Sequence, residues 1–114
     1  MPYINTTTTK VLTDEDVKSL TSDFGKAIET LPGKTEEWLM LNFEGGAKMA
    51  FRGKTEGDFC YIEVSIYGNA DRESCGALTA ALTEKVGERL GIAPECVYVR
   101  IEETELWGYG GELL

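Results

Sequence analysis

The chain has 114 residues, with 11 lysines and arginines against 20 aspartates and glutamates, a formal charge of −9 and no histidine. That length suits one domain, expected to span residues 1–114 and to gain from extra burial in an oligomer. The acidity argues against nucleic acid as a partner, the lack of an apolar run of about 18 residues argues against a membrane span, and without histidine no Ser-His-Asp or Cys-His constellation can be built within one chain.

The chain opens with Met1-Pro2, and the β-branched stretch Tyr3 to Thr8 predicts a first strand. Removal of Met1 would leave the secondary amine of Pro2 as a candidate base; the plain alternative is a proline that begins an edge strand, where its missing N–H does no harm. Thr13, followed by Asp14, Glu15 and Asp16, suits a helix N-terminus. Val17, Leu20, Phe24, Ala27, Ile28 and Leu31 then recur at helical spacing until Pro32-Gly33 stops the run. Trp38 to Phe43 predicts a second strand and Lys48 to Phe51 a short extra one. Phe59 to Tyr67 predicts the next strand. A helix follows with Asp71 as N-cap and Cys75, Leu78, Ala81, Leu82, Val86 and Leu90 as its apolar stripe, ended by Gly91. Cys96 to Glu102 predicts the closing strand, and the acidic run Glu102-Glu103-Thr104-Glu105 a solvated face or turn.

The second half echoes the first. A shift of 58 positions lays Gly33 to Glu44 on Gly91 to Glu102, with identities at Gly33/Gly91, Glu37/Glu95 and Glu44/Glu102, and carries Ile4 to Ile62, Phe24 to Leu82 and Ile28 to Val86. The fold class expected is α/β (α+β): two pseudo-symmetric β-α-β repeats, about 2–57 and 58–114, forming a four-stranded mixed sheet with two helices on one face. Leu39 to Phe43 and Val97 to Ile101, read as the middle strands, carry apolar or large side chains on both faces. One helix layer covers one face only, so the other is expected to be buried by symmetric homo-oligomerisation.

Cys60, Cys75 and Cys96 make no CxxC and no tight ligand cluster. They are expected at the core or its boundary, with no disulfide framework and no metal site. Cys75 lies near a helix N-terminus, where the dipole can lower a thiol pKa and make it mildly reactive.

Taken together, the Met-Pro strand, the duplicated strand-helix-strand body, Pro32-Gly33-Lys34 before the second strand, Met49-Ala50-Phe51, Ser65-Ile66 and Cys96-Val97-Tyr98-Val99 resemble the macrophage migration inhibitory factor (MIF) and D-dopachrome tautomerase family. The resemblance covers essentially the whole chain. It implies the tautomerase/MIF fold and a homotrimer whose sheets enclose a central channel, with three active sites at subunit interfaces. It also implies an isomerase: cofactor-free keto-enol tautomerisation of phenylpyruvate-like 2-oxo acids, with dopachrome as a further substrate. Such a reaction needs a base with a pKa near the working pH. An α-amine starts near 7.7 to 8.0 and burial lowers it, which suits Pro2 once Met1 is removed.

The same resemblance assigns Lys34 to the substrate carboxylate, where the plain reading is a solvated loop lysine. Ile66 would supply a backbone N–H with Ser65 beside it, and Tyr98 a hydroxyl or wall from a neighbouring subunit, where the plain reading is an amphipathic core tyrosine. Trp38, Trp107 and Tyr109 are candidate aromatic walls. Arg100 shares a strand face with Tyr98; it can fork onto a carboxylate, or pair structurally with Glu63 or Glu102. Two departures stand out. Asp58-Phe59-Cys60-Tyr61 lacks the CxxC of relatives with thiol-disulfide activity, so that activity is not expected. Gly108-Tyr109-Gly110, with Trp107 one step early, replaces the family's Gly-Trp-Asn, which puts the aromatic wall and the substrate preference in question. The alternative functions are a secreted, cytokine-like protein binding a host receptor, and a dehalogenase, decarboxylase or hydratase of small acids. With no signal sequence at its start, the chain is expected in the cytoplasm, with secretion open only to a route needing no signal peptide.

Overall fold

The computed structural model describes residues 1–114. Strand β1 (Pro2–Thr8) leads to helix α1 (Asp14–Ala27) and strand β2 (Met40–Glu44); β3 (Cys60–Tyr67) leads to α2 (Arg72–Leu90) and β4 (Val97–Thr104). A small hairpin, β5 (Gly108–Tyr109) and β6 (Glu112–Leu113), ends the chain. The main sheet runs β2-β1-β3-β4, with β1 parallel to β2, β3 parallel to β4, and β1 antiparallel to β3. This is the mixed sheet expected from two strand-helix-strand units. Both units follow the same offset closely: α1 and α2 begin at Asp14 and Arg72, and matching 3-10 turns occupy Glu36–Trp38 and Pro94–Cys96.

One expectation is reversed. The strands read as central, β2 and β4, are the edges, and β1 and β3 form the middle. Each crossover carries the second strand of its unit outward, so the two first strands meet at the pseudo-twofold axis. Ile4, Ile62, Val64 and Ile66 on one sheet face bury against Leu20, Phe24, Ile28 and Leu31 of the first half and Leu78, Leu82, Val86 and Leu90 of the second. Between the helices, Arg89 Nε donates to Asp23 Oδ2 at 2.8 Å and Arg89 Nη2 to Oδ1 at 3.3 Å.

The face away from the helices is less apolar than expected. Across its middle runs a polar row: Asn42 Nδ2 donates to Asn5 Oδ1 (2.8 Å), Asn5 Nδ2 to Glu63 Oε1 (3.4 Å), and Arg100 reaches Glu63 Oε2 at 3.9 Å. Large apolar groups flank that row, Met40 at 69% and Tyr98 at 61% exposure on the edge strands, beside the half-buried Tyr3 and Tyr61 of the central ones.

The predicted helix ends shift for local reasons. At the start of α1, Thr13 and Asp16 form a reciprocal capping box. At its end the α-helix stops at Ala27 and Ile28–Thr30 tightens to 3-10, earlier than the run to Leu31 predicts. Pro32 cannot donate to Ile28, and it forces Leu31 into an extended conformation (φ −87°, ψ 121°). In α2 no proline intervenes, and the helix continues to Leu90 and closes on Gly91 with φ 70°. Lys48 to Phe51 forms no strand; Phe51 makes a single bridge to Lys54 around a turn in which Arg52 has φ 55°. The terminal hairpin turns through Gly110 and Gly111, both at positive φ (62° and 86°), as a two-residue hairpin loop demands. No helix is long and apolar enough to cross a membrane.

Candidate functional site

Pro2 opens a central strand instead of an edge. It lies opposite Ile66 of β3, and pairing with β2 starts one residue later, at Tyr3 with Met40. The chain's first residues are anchored by the end of β3: Tyr67 N–H donates to Met1 O at 3.1 Å, and Tyr67 O accepts from Lys34 Nζ at 3.3 Å. Lys34 stands after Gly33, whose φ of 78° turns the chain out of the first helical segment. The Met1 amine titrates below the ordinary α-amine value, first because burial disfavours the charged form and second because the Lys34 ammonium repels it.

Pro2 lines an open cavity of about 1010 Å³. Tyr3, Met40 and Ser65 of the sheet form its floor with Pro2, while Glu37, Trp38 and Leu39 close one side. Leu106, Trp107, Gly108 and Tyr109 close the other, and Glu102 and Thr104 of β4 complete it. The two sides meet where the Trp38 and Tyr109 rings pack edge to face, 5.2 Å between centroids. Local sequence explains both walls. Gly25 in α1 lets the 3-10 turn at 36–38 press close, since a Cβ there would collide with Glu36. The hairpin is shut by Leu114 N–H donating to Trp107 O at 2.9 Å.

Of the residues singled out from the sequence, Pro2, Trp38, Ser65, Trp107 and Tyr109 line this cavity. Lys34 stands beside the chain's start through Tyr67, and Ile66 is fully buried with its side chain in the core, leaving only its backbone to face Pro2. Tyr98 and Arg100 do not join them within one chain. Tyr98 lies toward the other end of the sheet, its ring 5.2 Å from that of Phe51, beside a second, wholly apolar cavity of about 350 Å³ that includes Met49, Phe59, Tyr61 and Cys96. Arg100 pairs with both Glu63 and Glu102, so the ion-pair alternative describes its position in the single chain. Sequence reading missed Glu37, Leu106 and Met40. The signal for Glu37 was its place beside Trp38 and for Leu106 its place beside Trp107; for Met40 there was none, because its cross-strand register with Tyr3 brings it in.

The thiols differ from one expectation. Cys60 is buried and its pKa is pushed up to about 12. Cys75 was expected to be lowered by the helix N-terminus, but burial raises it, aided by the negative charges of Glu103 and Asp71. All three cysteines are free, and no group of three or more Cys, Asp or Glu side chains is arranged to hold a metal ion.

Neither a family model nor a curated protein matches the chain by sequence. Solved structures do. MIF2 of Leishmania major superposes with a TM-score of 0.93 at 24% identity, covering 100% of this chain and 97% of its own. A MIF homologue from Prochlorococcus marinus gives 0.86 at 27% identity, with 97% of each chain covered. The chain has the MIF fold. Pt0534, in a structure described as inactivated by 2-oxo-3-pentynoate, gives a TM-score of 0.80 at 24% identity over 96% of this chain and 93% of that one. On the MIF fold seen here, the end of the sheet that carries the chain's first residues is also the end that the aromatic hairpin and Trp38 enclose.

Proposed function

We propose that this protein is a cofactor-free keto-enol tautomerase of phenylpyruvate-like 2-oxo acids, with the Pro2 amine, freed by removal of Met1, as the general base. The observation that carries the reading is the position of Pro2: buried, on the wall of an aromatic-sided cavity, with Lys34 held beside the chain's start. An uncharged amine near neutral pH can take a proton from the carbon alpha to the carbonyl and return it to the enol oxygen or carbon. Lys34 provides positive charge for the substrate carboxylate, and the Ile66 backbone and Ser65 border the reacting carbons. Trp38, Trp107 and Tyr109 hold the aromatic ring. The inactivation of the similar Pt0534 by a 2-oxo acid supports the substrate class.

Tyr98 and Arg100 fit this reading in a homotrimer. Tyr98 is 61% exposed on an edge strand and Met40 is 69% exposed on the opposite edge, so a head-to-tail ring of copies would bury both and carry Tyr98 to a neighbour's Pro2 cavity.

The test is turnover of phenylpyruvate and 4-hydroxyphenylpyruvate by two forms of the protein, one beginning at Pro2 and one retaining Met1. The first is expected to turn over both acids and the second neither, because an amide nitrogen is not basic. Equal rates from the two forms would refute Pro2 as the base.

A further inference from the structure

Helix α1 carries a buried glycine, Gly25, in its last turn. The residue is helical at negative φ, so its backbone does not require glycine, and alanine is the better helix former. What the position lacks is room. A Cβ there would stand 2.5 Å from Glu36 Oε2 and 3.1 Å from Glu36 Cβ. The carboxylate can swing aside, but Glu36 Cβ moves only with its backbone, so the 3-10 turn Glu36–Trp38 would have to give by a few tenths of an ångström. No side chain caps that turn, and its own bonds, Trp38 N–H to Thr35 O (3.3 Å) and Leu39 N–H to Glu36 O (3.1 Å), stay inside the segment. Outside the segment, it meets α1 at Gly25 and Tyr109 at Trp38. Gly76 in α2 is the contrast: it is exposed, with no atom within 4 Å of the place a Cβ would take.

We propose that Gly25 is a positioning residue for substrate specificity: by admitting Glu36 against α1 it sets where the Trp38 ring stands, and thereby how the cavity fits the ring of an aromatic 2-oxo acid. The inference rests on the tautomerase reading for the ligand that this wall receives. The contact lies within one chain, between α1 and the turn behind the wall, so it does not depend on which groups a neighbouring copy brings to the cavity. A displaced Trp38 loses part of its contact with the ligand's ring, which corresponds to about twofold to tenfold in affinity. Pro2 is held separately, by the pairing of β1 with β3, so proton transfer is untouched. The loss therefore falls in KM and not in kcat, and only for a ligand that has a ring.

The probes are phenylpyruvate and 2-oxobutanoate, which share the 2-oxo acid head and differ in the ring, given to protein that begins at Pro2. Exchange of their C3 protons for deuterium, followed by NMR, yields kcat and KM for both. Gly25→Ala is expected to raise KM for phenylpyruvate by about twofold to tenfold, with its kcat and both constants for 2-oxobutanoate unchanged. Glu36→Gly added to Gly25→Ala removes the obstructing Cβ and should return KM for phenylpyruvate to the value of Glu36→Gly alone. Gly76→Ala, the same change in open space on α2, should alter neither acid. A urea midpoint lowered in Gly25→Ala with the ratio of the two KM values unmoved makes Gly25 a packing residue only and overturns the proposal. A rise in KM for both acids alike, or one that Glu36→Gly fails to reverse, overturns it too. Both tryptophans of the chain, Trp38 and Trp107, line the cavity, so quenching of their fluorescence measures affinity for both acids without turnover. Absence of exchange with either acid refutes the tautomerase reading, while the ratio of affinities still decides the role of Gly25.

Discussion

Thr6 and Thr8 make an internal pair of opposite sign. Both lie on the buried face of the central strand β1 at 0% exposure, two residues apart. Thr8 Oγ1 donates to Phe59 O at 2.8 Å and accepts from Lys10 N–H at 3.2 Å. Thr6 Oγ1, in register with Phe43 and Ile62, has no partner. Valine keeps the β-branched shape and strand propensity of threonine, so each Thr→Val change isolates the hydroxyl. At Thr6 it removes a group desolvated without compensation, a cost of about 1 to 3 kcal/mol, and Thr6→Val should stabilise by about 1 kcal/mol or more. At Thr8 it deletes two hydrogen bonds; Phe59 O keeps its bond from Thr9 N–H at 3.2 Å, so the loss falls chiefly on Lys10 N–H, and Thr8→Val should destabilise by about 1 to 2 kcal/mol. Urea unfolding followed by circular dichroism reads both. With a slope near 2 kcal/mol/M, each kcal/mol moves the midpoint by about 0.5 M. Protein concentration is held equal throughout, since subunit association adds to apparent stability. If both variants shift the midpoint in the same direction, hydroxyl satisfaction does not control stability on this strand.

The Asp23–Arg89 pair should give the fold an acid-sensitive component. Arg89 holds the Asp23 carboxyl below its ordinary pKa of 3.8, chiefly by hydrogen bonding, so this contribution is complete above that value and lost as pH falls through the lower folded-state value. Asp23→Asn should cost about 1 to 2 kcal/mol at neutral pH and progressively less below pH ~4 in urea titrations, the Arg89 side chain being 44% exposed and so partly screened; a cost independent of pH would refute the assignment. With Cys60 pushed up to about 12 and buried, iodoacetamide at pH 8 should leave Cys60 unmodified in the folded protein and label it only on unfolding, as peptide mass mapping would show. Rapid labelling of Cys60 in the native state would mean that β3 opens at its first residue.

Much of this architecture is written locally in the chain. Thr13 with its acidic first turn fixes the start of α1, Asp71 that of α2, and the apolar stripes choose the face each helix buries. The repeat predicts parallel units because both halves carry the same spacing of glycine, turn and strand, and the 3-10 turns found before β2 and β4 keep the same offset. Pro2, Trp38, Ser65, Trp107 and Tyr109, singled out from the sequence, line one cavity. The two-residue strands of the terminal hairpin were not, since they are too short to show any periodicity, although Gly110-Gly111 marks the turn between them.

What the sequence by itself determined, then, is the two helices and the four strands of the main sheet, their order and the faces the helices bury, because helix caps and side-chain periods act over a few residues. Only the tertiary structure decided that β1 and β3 are central, that Arg100 is held by Glu63 and Glu102, and that Glu37 and Trp38 face Tyr109 across the Pro2 cavity. Those outcomes depend on which strand edges pair and in what register. A single sequence encodes such pairings through contacts between residues tens of positions apart, and nothing local to either partner reveals them.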